Sequence, residues 1–223
     1  MLFDTKGHCF ERQIIMLHVR WYLSYKLSYR DLEEMAAERG LEVDHTTIYR
    51  WVIKFTPGLE KAVRRLKRPV GRSWRLDETY VKVKGKWKYL YRAVDKEGNT
   101  VDYLLTAKRD RKAAQRFLSR AIRSNDEPIK ITIDKSGANA AGIETYNEGE
   151  GTDIEIRQNK YLNNIIEQDH RPIKQLCRAK LGFKKFRTAK ITIGGFESMR
   201  IIRKRQIRAE GETSAEIFYS LAA

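Results

Sequence analysis

The chain has 223 residues, 33% of them charged, and its forty-five Lys or Arg against twenty-nine Asp or Glu give a formal charge of +16. That excess is far beyond what solubility needs and points to a polyanionic partner, best a nucleic acid, because Lys and Arg gain affinity by releasing counterions from phosphates. Two cysteines, four scattered histidines, no long apolar run and no charged-then-apolar opening argue against a disulfide scaffold, a zinc module, a membrane partner and a secretion signal, so a cytoplasmic, nucleoid-associated protein is expected.

Apolar residues at helical spacing, Ile14, Leu17, Trp21 and Tyr25 with Ile15, Val19 and Tyr22 beside them, predict a helix over residues 11–25. Ser28 with Asp31 reads as a capping pair for a second helix reaching residue 39, where Gly40 is a natural stop. A third helix over 45–55, capped by Asp44 or Thr46, carries Ile48, Trp51, Val52 and Phe55 inward and leaves Thr46, Thr47, Tyr49 and Arg50 outward. Three helices with a short turn before the last match a helix-turn-helix, so these four outward residues are the candidates for DNA contact, and residues 1–57 are expected as one DNA-binding domain. The next stretch, 58–73, holds six cations and no acid after position 60, is punctuated by Pro69 and Gly71, and reads as a basic linker.

Residues 74–83, 87–95 and 100–107 read as three strands of an antiparallel meander, followed by a helix over 111–123, a strand over 129–134, a helix over 138–146, a strand over 153–157 and a helix over 163–179. This order predicts a ribonuclease H-like mixed five-stranded sheet with flanking helices, an α/β core over 74–180 in which the first and fourth strands are neighbours. Asp77 in the first strand and Asp134 at the end of the fourth then come together, and Lys135, Ser136 and Gly137 open a loop after Asp134. Along the first strand Asp77 shares a face with Thr79, Val81 and Val83 while Glu78 points the other way.

On the last of these helices Glu167, Arg171, Lys174 and Arg178 fall at i, i+4, i+7 and i+11, so one stripe carries a carboxylate and three cations that suit DNA phosphates. Ile165, Ile166 and Ile173 are the expected packing residues. Asp169 and His170 are rivals for a ligand role, but a two-residue step rotates Asp169 well away from the Glu167 face. Pro172 conflicts with this helix, so either the helix kinks there, which would help aim Lys174, or it starts elsewhere than at 163.

The strings DETYVKVKGKWKYLYRAVD, ITIDKSGAN, NNIIEQDHRPIK and LGFKKFRTAKITIGGFESM, with SYRDLEEMAAERGLEVDHTTIYRWV nearer the N-terminus, resemble the DDE transposases of bacterial and archaeal insertion sequences, specifically the insertion sequence six family. The similarity runs from about Phe10 to Gln206. It implies that Asp77, Asp134 and Glu167, separated by 57 and 33 positions, are the catalytic and metal-binding acids, and that Lys174 contacts DNA. It further implies binding of terminal inverted repeats, cleavage exposing 3′-hydroxyls, and transfer of those ends into target DNA by at least a homodimer. All ligands being oxygens, Mg²⁺ is the expected ion, with Mn²⁺ as a substitute and two ions per active site.

Residues 181–223 are expected as a basic C-terminal helical extension, with Gly194 and Gly195 as a break before a helix over 196–208. From Arg171 to Arg208 thirteen cations face a single acid, Glu197, so DNA is expected there as well. Two other functions compete with transposition: a non-catalytic DNA-binding regulator derived from such an enzyme, and a ribonuclease H-type nuclease. Crowded like charges are useless to a pure binder, and a structure-selective nuclease has no need of the N-terminal recognition unit.

Overall fold

The computed structural model describes residues 9–134, 137–159 and 164–222. The chain folds as two units, one made of Met1–Arg68 with Gln175–Ala223, the other of Pro69–Lys174.

In the first unit α1 (Arg12–Ser24), α2 (Tyr29–Ala37) and α3 (His45–Leu66) pack with α7 (Phe186–Arg203) and α8 (Ser214–Ala222). Local chemistry sets the helix starts. Ser28 Oγ accepts the Asp31 amide at 3.1 Å while the Asp31 carboxylate accepts the Ser28 amide at 2.7 Å, a closed capping box. Asp44 caps α3 by accepting the amides of Thr46 and Thr47. Ile48, Trp51, Val52 and Phe55 are buried as expected, and the stripe continues through Leu59, Ala62 and Val63. The expected linker is corrected on this point: its first half is the end of α3, because this apolar stripe outweighs the basic run and Pro57 is tolerated inside the helix. Beyond it Lys67 pairs with Ile207 in an antiparallel bridge, so the start of the supposed linker and the supposed C-terminal extension join one unit.

The expected break at Gly194 and Gly195 is also corrected, since both lie buried inside a continuous α7. A Cβ at position 195 would stand 2.5 Å from Leu23 Cδ2 and 2.8 Å from Thr56 Cγ2, so hydrogen is needed where α7 crosses its neighbours. Gly195→Ala is expected to destabilise the protein by about 1–2 kcal/mol in urea unfolding, because overpacking against two fully buried side chains exceeds the helix propensity gained.

The second unit is built on one five-stranded sheet of β1 (Ser73–Val83), β2 (Lys86–Asp95), β3 (Thr100–Thr106), β4 (Lys130–Ile133) and β5 (Glu155–Gln158), in the order β3-β2-β1-β4-β5. The first three strands are antiparallel, and β1–β4 and β4–β5 are parallel, which is the ribonuclease H-like arrangement. Lys84 and Gly85, both at positive φ, form the two-residue turn between β1 and β2. Trp74, Leu76, Tyr91 and Ala93 on one sheet face form a core with Phe117 and Leu118 of α4 (Arg111–Arg123) and Ala140 and Ile143 of α5 (Gly137–Glu150). The last helix, α6 (Asn164–Ala179), runs through Pro172 without interruption. Its expected beginning at Asn163, like Lys135 and Ser136 after β4, lies outside the described residues.

Candidate active site

Strand alternation separates two adjacent acids. Glu78 follows Leu76 onto the core face and is buried there, accepting Arg109 Nε at 3.1 Å and Asn139 Nδ2 at 3.1 Å. Asp77 takes the opposite face, is half-buried, and has Arg92 of β2 as its cross-strand partner. Parallel pairing of β1 with β4 ends at Arg75↔Thr132, and two residues further along each strand stand Asp77 and Asp134. The β1–β4 register therefore brings these two acids together where β4 ends, as the strand order predicts.

The third acid comes from α6. Ile166, Asp169, His170 and Ile173 form its buried stripe, spaced i, i+3, i+4 and i+7. Glu167, Arg171, Lys174 and Arg178 form the adjoining exposed stripe, in the spacing read from the sequence. The packing set needs one correction: Ile165 is 37% exposed, and Leu176 takes its place in the buried row. Asp169 is fixed by Arg92, whose Nη2 donates to its carboxylate at 2.6 Å with both groups buried. His170 is buried next to Asp77, with its Nδ1 4.0 Å from Asp77 Oδ2. Sequence reading passed over Arg92, Arg109 and Asn139. Their partners lie between 31 and 77 positions away, and no short-range spacing signals them.

Electrostatics tie the acids together. The Asp77 carboxyl is pushed up from 3.8 to about 7, first by burial and then by the charges of Glu78, Asp134 and Glu167, against an opposing hydrogen bond from the Glu78 amide. Among the described residues no three His, Cys, Asp or Glu side chains stand close enough to surround one ion. The three acids thus share a field without forming a closed cage. Their donor set is all oxygen, and a hard divalent cation would offset both the burial of the Asp77 charge and the repulsion from its neighbours.

In the first unit Thr46, Tyr49 and Arg50 are exposed and Thr47 is half-exposed on α3. The Thr46 and Thr47 hydroxyls donate to Asp44 at 2.5 and 2.8 Å, so their protons serve the helix cap while their oxygens keep acceptor capacity. Among the described residues no helix is long and apolar enough to cross a membrane.

A family model described as a DDE domain matches residues 71–206, and one described as the transposase IS66 family matches residues 11–127. The transposase for insertion sequence-like element IS431mec of Staphylococcus aureus strain N315 is 38% identical over 201 residues, covering 90% of this chain and 88% of the relative. The transposase for insertion sequence element IS257 in transposon Tn4003, also from Staphylococcus aureus, has the same identity and coverage. Among solved structures, the HTLV-2 integrase catalytic core domain in complex with magnesium, trimeric form, superposes with a TM-score of 0.48 at 15% identity, over 67% of this chain and 97% of that one.

Proposed function

The chain belongs to the DDE transposases of insertion sequences, and from that premise we propose that it binds the terminal inverted repeats of its own element and cuts and joins DNA at Asp77, Asp134 and Glu167. The observation that supports the assignment of these acids is geometric: the β1–β4 register brings Asp77 and Asp134 together, and the charges of Asp134 and Glu167 both reach the Asp77 carboxyl. A folded protein gains nothing from such crowding unless something positive enters it.

Asp77 and Asp134 are the pair that would hold one divalent ion, and Glu167 completes a second. Bound there, Mg²⁺, or Mn²⁺ in its place, would activate the attacking oxygen and stabilise the leaving one. Arg92 holds α6 through Asp169, which fixes the rotation at which Glu167 is presented. Glu78, saturated by Arg109 and Asn139, anchors the strand on its other face and is not a ligand. Arg171 and Lys174, one and two turns beyond Glu167 and exposed, suit the phosphates of a DNA strand entering the site, with Arg178 in the following turn. Thr46, Thr47, Tyr49 and Arg50 are the α3 side chains that would read or grip the repeat, the two threonines as acceptors because their protons go to Asp44. Joining two ends in concert calls for two or more copies of the chain.

Strand transfer on labelled duplexes made from the DNA flanking the reading frame tests this, with Mg²⁺ and with EDTA, using wild type and Asp134→Asn. Expected is joining that requires the metal and is lost in the variant. Wild-type binding with neither cleavage nor joining would instead make the chain a regulator.

A further inference from the structure

Among the described residues three non-glycine positions take positive φ: Lys84, Leu181 and Arg205. Lys84 and Arg205 are polar. Leu181, at φ +54 just past the end of α6, is apolar and 97% exposed, whereas the next most exposed large hydrophobic side chain, Trp87, reaches 59%. The position after a helix terminus is ordinarily filled by Gly, because a side chain there is strained. Leu181 is strained and also presents its whole side chain to water, so neither packing nor backbone conformation accounts for it.

The residues around it are basic, and one of them is anchored. Lys180 Nζ donates to the carbonyl oxygens of Tyr25 and Leu27 and sits 3.9 Å from the centroid of the Tyr22 ring, which is itself stacked on Tyr29. The root of the loop is therefore locked to the first unit while its tip projects. Arg178, Lys184, Lys185 and Arg187 are exposed beside it, and no acid occurs between Asp169 and Glu197. A cavity of about 520 Å³ is lined both by Leu181, Phe183 and Lys185 of this loop and by Thr46 and Tyr49 of α3, so loop and recognition helix border one space.

We propose that Leu181 is a wedge that inserts between stacked base pairs of the duplex bound by α3, its flanking cations holding the phosphates on either side of the opened step. An apolar tip in a cationic setting is the chemistry by which side chains unstack a base step and kink DNA, and the run of cations with no acid between Asp169 and Glu197 suits a phosphate backbone. The inference rests on the reading of α3 as the element that meets DNA.

The test uses the full-length protein and end duplexes carrying 2-aminopurine at successive positions, whose fluorescence rises when a step unstacks. Wild type and Leu181→Met should give a several-fold rise confined to one step. Leu181→Asn, a residue that tolerates positive φ, should still bind and should melt no lower than wild type, yet lose the rise. Wild-type binding without a local rise, or a rise that survives in Leu181→Asn, overturns the wedge and leaves end recognition by α3 standing. A change in the sedimentation of DNA-free Leu181→Asn also overturns it, by making Leu181 a contact between copies. Failure of wild type to bind the ends at all removes the α3 reading and the wedge with it.

Discussion

Asp77→Asn is expected to abolish strand transfer and at the same time make the metal-free protein harder to unfold. The activity loss should be on the order of a thousandfold or more, equivalent to about 4 kcal/mol of transition-state stabilisation, since an amide oxygen is a poor substitute for a charged ligand. The gain in stability follows from the raised carboxyl. Asp77 titrates near 3.8 when unfolded and at about 7 when folded, so the folded state holds the proton more tightly. Below the lower value both states are protonated and nothing is lost. As pH rises between the two values, ionisation favours the unfolded chain, and above the upper value the full penalty remains, with a ceiling of roughly 4 kcal/mol. Urea unfolding should therefore find Asp77→Asn close to wild type at pH 4 and more stable by a few kcal/mol at pH 8. Adding Mg²⁺ should raise wild type and leave the variant nearly unmoved. Equal stability of the two at pH 8 without metal would mean that neither burial nor the neighbouring acids raise the Asp77 carboxyl. Because metal must displace that proton, affinity for Mg²⁺ should also weaken as pH falls below about 7.

The period-two alternation of β1 was enough to place Asp77 and Glu78 on opposite faces, and the period of α6 was enough to align Glu167 with Arg171 and Lys174. Those are short-range regularities, and they survive folding because every neighbour obeys the same repeat. The errors came where two local signals competed. Around position 60 a basic run suggested a linker, yet Leu59, Ala62 and Val63 carry a buried helical row through it. At Gly194 and Gly195 the missing side chains suggested a break, whereas they permit a close helix crossing that only distant residues, Leu23 and Thr56, reveal. Ile165 and Ile166 are adjacent and chemically alike, so composition alone could not settle the phase of that helix, which Arg92 and Asp169 help to fix from 77 positions apart.

That pair supports the second large effect. Arg92→Met leaves the Asp169 carboxylate buried without this guanidinium and is expected to cost about 3–5 kcal/mol of folding stability, far more than a surface ion pair would. Asp169→Leu alone takes away the buried carboxylate that accepts from the Arg92 guanidinium at 2.6 Å and should cost a similar amount. The double variant, apolar on both sides, should recover stability to within about 1 kcal/mol of wild type, because two desolvated charges are removed together. Activity should not recover with it. Ile166 and Ile173 stay buried on α6, but apolar contacts tolerate small rotations that a 2.6 Å charged hydrogen bond does not. Glu167 lies two residues from Asp169, so a rotation of α6 moves it relative to Asp77 and Asp134, and a displacement near 1 Å at a reacting centre costs roughly a hundredfold. Strand transfer by the double variant should accordingly remain about a hundredfold low while its urea midpoint is normal. Full recovery of both would reduce the Arg92–Asp169 pair to packing and leave the aim of Glu167 to the two isoleucines.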